Sequence, residues 1–392
     1  MEKIIDIHHY DKKLISELKR IKESILANKN KKLLLEFHNS CFSEGIGKAK
    51  IVRYLGDLKK ICLILKKNLD ICNKKDIQNV VGEIEKMDYA YSTKRGYKIV
   101  LKKFYKWLRD TEDIYPEEVR WIKTTSEKSK ERLPDDLLNE EDILKLIQNA
   151  DKIRDKAFIS VLYESGCRIG ELATIKIKNI LFDEYGAKIS VFGKTGSRPV
   201  RLVSSASYLL DWINQGHPEN ENLNSYVWLS QKKEILSYGR LKDILKNTAK
   251  RAGIQKRINP HSFRHARATI LAKKISDAQL KSVMGWTQGS KMSAIYVHLS
   301  QRDTDDAILE LNGIQRDTKE KSKILPRECI KCKHKNKPTN KFCELCGMNL
   351  DKEEADNILK ADLEKDKLNQ FMNELIKDED FRKFLKKKLG TN

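Results

Sequence analysis

One block of alternation, residues 173–203, interrupts a chain whose apolar residues otherwise recur at helical spacing. ATIKIKNILF alternates, the turn DEYG follows, then KISVFG, the turn KTGS and RPVRLV. Successive side chains of a strand point to opposite faces, so the pattern suits half-buried strands joined by tight turns. The block reads as a small antiparallel sheet with Lys194 at a hairpin tip. Around it the spacing predicts helices. The clearest covers 92–109, with Tyr97, Val100, Leu101, Phe104 and Leu108 on one face. Another opens at Asn139-Glu140-Glu141, with acids in its first turn and Ile143, Leu144 and Ile147 as its apolar face. Further helices are expected over 155–164, 205–215, 238–252, 261–273, 277–283, 290–297 and 301–311. The expected fold class is therefore mainly α with a small antiparallel β-sheet (α+β).

Punctuation and charge divide the chain. Residues 1–125 form a helical domain, 126–134 a polar linker, 135–313 the domain with the sheet, and 314–327 a second charged linker. A cysteine-rich module spans 328–350, and a helical tail spans 351–392 with an apolar stripe at Leu368, Phe371, Met372, Leu375 and Ile376. Lys and Arg number 78 against 56 Asp and Glu, a net charge of +22. Such an excess points to a polyanionic partner, a nucleic acid first. Residues 1–130 hold 30 basic and 19 acidic residues and 131–350 carries a net +12, so two successive basic domains are expected to grip DNA from opposite sides. The tail, with 10 basic and 11 acidic residues, suits packing on protein instead. No run of about 18 apolar residues predicts a membrane span. The N-terminal MEKIIDIHHYDKK lacks a secretory stretch, so a cytoplasmic location is expected.

A reducing compartment makes metal binding the better use of clustered thiols. CIKCKHKNKPTNKFCELCG places Cys329, Cys332, Cys343 and Cys346 as C-x2-C-x10-C-x2-C. Two such knuckles supply four thiolates for one tetrahedral structural Zn2+, a zinc ribbon. Gly347 suits the turn after the last cysteine, and His334 is a spare donor. The lysines at 331, 333, 335, 337 and 341 either form a solvated surface or touch DNA phosphate. Cys41, Cys62, Cys72 and Cys167 are scattered.

Five segments between 160 and 300 carry candidate chemistry: ESGCRIGEL, GKTGSRPV, HSFRHARAT, MGWTQGS and SAIYVHLS. Each alone has a plain structural reading: a surface arginine, a helix-capping histidine, a core tyrosine. In this order they fit phosphodiester cleavage, whose anionic transition state must be neutralised. Guanidiniums grip non-bridging oxygens bidentately, and Arg168 and Arg264 are the natural pair. His261, three residues before Arg264, shares its helix face. Lys194 can deliver a proton to a leaving oxygen, with Lys188 as its nearest rival. Tyr296 can attack as an oxygen nucleophile. No GxxxxGK[ST] loop or acidic metal cluster is present, and none is needed.

The ordered set resembles the tyrosine recombinase (phage integrase) family, whose pattern is Arg, Lys, His-x-x-Arg, His or Trp, Tyr. The resemblance covers about 310 residues, with the family's helical core-binding domain at 1–125 and its catalytic domain at 135–313. It implies that Arg168 and Arg264 neutralise phosphate, Lys194 serves as general acid to the 5′-oxygen, and His261 assists as general base. Trp286, in place of a common His, packs on the site. Tyr296 becomes a 3′-phosphotyrosine. Glu171 resembles an acid that buttresses the site, although a plain helix ion pair fits it too. Phe263 replaces the usual Leu of the histidine motif. His265 and His298 flank the site as hydrogen-bonding neighbours.

The expected function is site-specific cutting and rejoining of double-stranded DNA by a homo-tetramer, for integration or excision of a mobile element. No cofactor serves the chemistry, and no membrane is involved. A chromosome-dimer resolvase of the same chemistry, a relaxing topoisomerase and a non-catalytic DNA-binding protein are the competing readings. The complete residue set counts against the last.

Overall fold

The structure is a computed structural model that describes residues 5–125, 137–193, 196–299, 312 and 322–389. Lys194, the 126–134 linker, the 301–311 segment, the 313–321 part of the second linker and the side chain of His298 lie outside the described residues. The chain divides into two compact units, Met1–Arg132 and Leu133–Asn392.

The first unit is all helical: α1 Tyr10–Lys22, α2 Asn28–Ser43, α3 Lys48–Leu65, α4 Lys74–Lys86, α5 Tyr91–Leu108 and the short α6 Glu117–Arg120. Asn73 and Asp76 form a capping box that starts α4. The expected face of α5 is the one that packs, with Tyr97, Val100, Leu101 and Phe104 buried and Leu108 at the core's edge. Phe104 meets Phe37 of α2 edge-on, ring centres 5.3 Å apart at 72°. Each such buried ring contributes about 1.5–3 kcal/mol. Tyr105 is also buried, and its hydroxyl donates to the Leu69 carbonyl at 2.9 Å, so no polar group is stranded.

The second unit is built on one buried helix, α8 (Ile153–Ser165), in which 10 of 13 residues are buried. That is why its sequence shows no polar face. It follows α7 (Glu140–Gln148), which Asn139 caps through a reciprocal bond with Asp142. After α9 (Ile169–Ala173) come β1 Ile180–Asp183, β2 Gly186–Gly193 and β3 Gly196–Leu202, an antiparallel sheet in the order β1-β2-β3. The register pairs Ala187 with Leu202, Ile189 with Val200 and Val191 with Arg198. Alternation thus points Ala187, Ile189, Val191, Val200 and Leu202 inward.

The sheet begins later than the alternation suggests. Ile175 and Ile177 are buried, but outside the sheet, with Ile177–Asn179 in a 3-10 turn. Ile177 N–H donates to the Ser225 carbonyl and Val227 N–H to that of Ile175, both at 3.0 Å. A buried strand and an irregular segment pinned to a neighbour leave the same apolar signature. Helices α10 Ala206–Asp211, α11 Tyr238–Arg251, α12 Pro260–Ala272, α13 Asp277–Met284 and α14 Met292–Leu299 complete this domain. They match the expected spans closely, except that α10 passes at Trp212 into a π-helical turn.

The cysteine module pairs β4 Arg327–Glu328 with β5 Lys335–Asn336. It packs on the same unit: Tyr208 Oη and Thr339 Oγ1 are 2.7 Å apart, and the Lys337 ammonium meets Asp211 at 2.7 Å and Glu344 at 2.5 Å. Lys337 is thereby committed to carboxylates rather than solvated, with 12% of its side chain exposed. Helices α15 Lys352–Lys377 and α16 Glu379–Leu389 follow. Ala355 and Leu359 of α15 belong to the module's core, whereas Leu368, Phe371, Met372 and Ile376 are exposed. Among the described residues no helix is long and apolar enough to cross a membrane.

Candidate active site

The site is assembled at the C-terminal end of α13. This helix opens on a Ser276–Gln279 capping box and stops at Gly285, whose φ of 60° ends it in the left-handed region. Its last carbonyls lack partners within the helix and carry the negative end of its dipole. Arginines take them. Arg264 Nη2 donates to the Met284 carbonyl at 2.6 Å, and Arg168 donates to that of Gly285 from both Nη1 and Nη2 at 3.2 Å.

Arg264 is placed by α12, which begins with Asn259 capping Ser262 and Pro260 in the first turn. Its guanidinium is buried, and Nη1 donates to the Gly166 carbonyl at 2.7 Å. Burial and the charge of Arg168 lower its pKa to about 10. It stays charged at neutral pH, yet a bound anion would relieve a real penalty. Arg168 sits at the start of α9, its side chain 36% exposed. The nearly buried Glu171 carboxylate accepts from Arg168 Nη1 at 2.7 Å through Oε1 and from the Arg168 backbone N–H at 3.2 Å through Oε2. These contacts fit the buttress and the helix ion pair alike.

Trp286 joins the arginines to the nucleophile candidate. Its ring lies 5.4 Å from the Arg264 guanidinium and stacks on Tyr296 at 5.4 Å and 13°. Tyr296, on α14, is only 2% exposed and packs with Ala268, Ala272, Leu280 and Met284. Its Oη lies 2.6 Å from Nδ1 of His265. His261, one turn earlier on α12, is exposed, with its ring 6.1 Å from that of His265. So the structure brings Arg168, Arg264, Trp286 and Tyr296 together and sets His265, with His261 behind it, at the phenol. Lys194 is outside the described residues, but the strand ends flanking it, Gly193 and Gly196, are paired.

Arg198 is a site residue that the motif reading passed over. Nη2 donates to Glu171 Oε2 at 2.7 Å and Nε to the Val283 carbonyl at 3.0 Å. The available signal was its register on β3, which turns it to the sheet's buried face.

The four cysteines form a separate centre. Their Sγ atoms all lie within 4.8 Å of one another, with Cys329 to Cys346 at 3.6 Å and Cys332 to Cys343 at 3.5 Å. A tetrahedral Zn–thiolate shell with bonds of about 2.3 Å sets its sulfurs about 3.8 Å apart. Each knuckle closes alike: Lys333 N–H donates to the Cys329 carbonyl and Gly347 N–H to the Cys343 carbonyl, both at 2.9 Å. Backbone N–H groups of Cys332 and Lys331 lower the pKa of Cys329. For Cys343, burial raises it, but the N–H groups of Cys346 and Leu345 outweigh this and bring it to about 6. The donor set fits one structural zinc ion.

Anchored guanidiniums beside a held phenol are the parts of a phosphoryl-transfer enzyme that works through tyrosine. The comparisons with known proteins agree. Residues 136–302 match the phage integrase family. A tyrosine recombinase of Thermosipho africanus (strain TCF52B) is 27% identical over 267 residues, 66% of this chain and 91% of the relative. The tyrosine recombinase XerD of Bifidobacterium longum (strain NCC 2705) is 24% identical over 279 residues, 65% of this chain and 88% of the relative. In fold, the chain is similar to a lambda integrase dimer bound to a COC′ core site, with a TM-score of 0.56, 18% identity, and coverage of 78% of this chain and 83% of the other. It is also similar to the XerH site-specific recombinase bound to palindromic difH, with a TM-score of 0.55, 20% identity, and coverage of 80% and 98%. Residues 136–302 belong to the phage integrase family, and the chain is a tyrosine recombinase.

Proposed function

We propose that this recombinase cuts and rejoins double-stranded DNA through a 3′-phosphotyrosine on Tyr296, to integrate or excise a mobile element. The observation that carries the chemistry is the pairing of Arg168 and Arg264 on consecutive carbonyls of one helix end, with Tyr296 stacked across Trp286. Forks fixed in this way meet the two non-bridging oxygens without reorganising. Tyr296 Oη attacks phosphorus, the P–O5′ bond breaks, and the new bond joins phosphorus to Oη. The phenolic proton leaves toward the His265 and His261 pair, and Lys194 supplies a proton to O5′. Rejoining reverses these steps from another 5′-hydroxyl, so the ester energy is retained and no nucleotide is consumed.

In this reading 1–125 is the core-binding domain and 135–313 the catalytic domain, and the chain acts on DNA as part of a homo-tetramer in the cytoplasm. Cys329, Cys332, Cys343 and Cys346 would hold one Zn2+, which stabilises the ribbon and takes no part in the reaction. The tail 351–392 serves contacts between subunits, for which its exposed Leu368, Phe371, Met372 and Ile376 supply the apolar face. The ribbon and tail lie beyond the 136–302 family match and favour an integrase. The second reading is a chromosome-dimer resolvase of the same chemistry. A nicked suicide duplex decides. An SDS-resistant adduct on the ends of the element that carries the gene supports integration. An adduct on a chromosomal resolution site alone supports the resolvase, and no adduct on either rejects the chemistry.

A further inference from the structure

A buried arginine needs its charge and its donors answered, or it costs several kcal/mol. Arg198 is such a residue, with only 11% of its side chain exposed. It lies opposite Val191 in the sheet and reaches two acceptors, Glu171 Oε2 at 2.7 Å and the Val283 carbonyl at 3.0 Å. Its Nη1 has no hydrogen-bond partner among the described residues. That atom crowds Gly285: a Cβ there would stand 2.6 Å away.

The same carboxylate serves a second arginine. Glu171 Oε1 accepts from Arg168 at 2.7 Å, so one buried acid bridges one buried and one half-exposed guanidinium. The end of β2 closes on it too, since a Cβ on Gly193 would stand 2.5 Å from Oε1. Arg198, Arg264 and Arg168 also take three successive carbonyls, those of Val283, Met284 and Gly285. Without Arg198, Glu171 would keep one cation where it now has two, and the carboxylate would be free to turn. The Arg168 fork would then lose the fixed acceptor that aims it.

We propose that Arg198 is a positioning residue for strand cleavage: it holds Glu171, and through Glu171 it holds the Arg168 fork at the angle that meets the scissile phosphate. The proposal rests on the reading of Arg168 as a phosphate ligand.

The test compares two suicide duplexes. One carries an ordinary scissile phosphodiester, the other a methylphosphonate, in which a methyl group replaces one charged non-bridging oxygen. Removing that charge relaxes the demand for a precisely aimed guanidinium. In single-turnover cleavage at saturating protein, Arg198→Met should slow the phosphodiester about 10–100-fold with DNA affinity unchanged. On the methylphosphonate its loss should shrink to less than about threefold. Arg198→Lys should recover part of the rate, because an ammonium restores the charge without the fork. Equal losses on the two duplexes mean a merely structural role and overturn the proposal, as does an unchanged rate. If Arg198→Met fails to fold, as read by its thermal transition, Arg198→Lys carries the same comparison. Arg168→Ala is the control. If its own loss is equal on both duplexes, the reading of Arg168 has failed, an outcome separate from any result with Arg198.

Discussion

The phenolic oxygen of Tyr296 and Nδ1 of His265 stand 2.6 Å apart, one on α14 and the other on α12. The phenol is therefore held by a hydrogen bond and stacked on Trp286, with Tyr296 just 2% exposed. In the proposed reaction that bond is exchanged for an in-line approach to phosphorus. Tyr296→Phe removes only the oxygen and keeps the stacked ring. Covalent adducts should vanish on denaturing gels while mobility shifts show unchanged DNA binding. Adducts of normal yield would sink the assignment.

Arg168 and Arg264 should differ in what they contribute. Either change to Ala should slow cleavage by about 10²–10³ or more, the usual effect of losing one transition-state donor. Arg264→Ala also strands the buried carbonyls of Gly166 and Met284, at about 1–3 kcal/mol each, so it should lower the melting temperature as well. Arg168, half-exposed, should cost less stability. Calorimetry beside single-turnover kinetics separates the two effects, and equal melting temperatures for the two variants would contradict the burial argument.

Glu171 gives the site an acid limit. Burial raises its pKa, but bonds from Arg198 and Arg168 outweigh this and hold it below the ordinary carboxylate value. A depressed folded pKa means stabilisation present at neutral pH and lost as pH falls through that pKa. Glu171→Gln should thus cost on the order of 3 kcal/mol at pH 7. The gap from the wild type should begin to narrow as pH falls below the ordinary glutamate value of about 4.3 and keep narrowing through the lower folded pKa. Urea titrations from pH 7 to 3 measure it, and a gap that stays constant would remove the carboxylate's charge from the account.

The cysteine centre predicts one zinc per chain by elemental analysis, lost in Cys329→Ser or Cys343→Ser. Metal loss should unfold the ribbon, lowering its protection from proteolysis around 328–350, while initial strand cleavage persists. Immediate loss of cleavage on chelation would point instead to a metal-dependent nuclease.

Deletion of the tail is best made after residue 360, because Ala355 and Leu359 are part of the ribbon core. Removing 361–392 should leave single-strand cleavage intact and weaken tetramer formation and strand exchange, read by light scattering and product gels. A truncated chain that assembles and recombines normally would show the exposed stripe to be dispensable.

The helices were legible because they carry their own punctuation. Asn139, Asn259 and Ser276 begin α7, α12 and α13 with side-chain caps, and Gly285 ends the last of these. The grouping of Arg168, Arg264 and Tyr296 was legible because together they fit one reaction, and the structure brings them to one place. Ile175 and Ile177 misled, since burial against Ser225 and Val227 imitates a strand. Arg198 was hidden because its partner Glu171 is 27 residues away, across a sheet register that no motif encodes. The arginine anchors were hidden for another reason: their acceptors are peptide carbonyls, which leave no letter in a sequence. Nor did the spacing of the lysines show that Lys337 would turn to Asp211.

Those carbonyl anchors set how freely such an enzyme can diverge. Val283 and Met284 offer the arginines only backbone oxygen, which is the same under any side chain. Exchanges there that keep the helix and its apolar packing leave the arginine anchors in place. Position 285 is different, for it needs a left-handed backbone and has no room for a Cβ beside Arg198. Drift can therefore rewrite most of α13, but its stopping point is pinned to a single glycine.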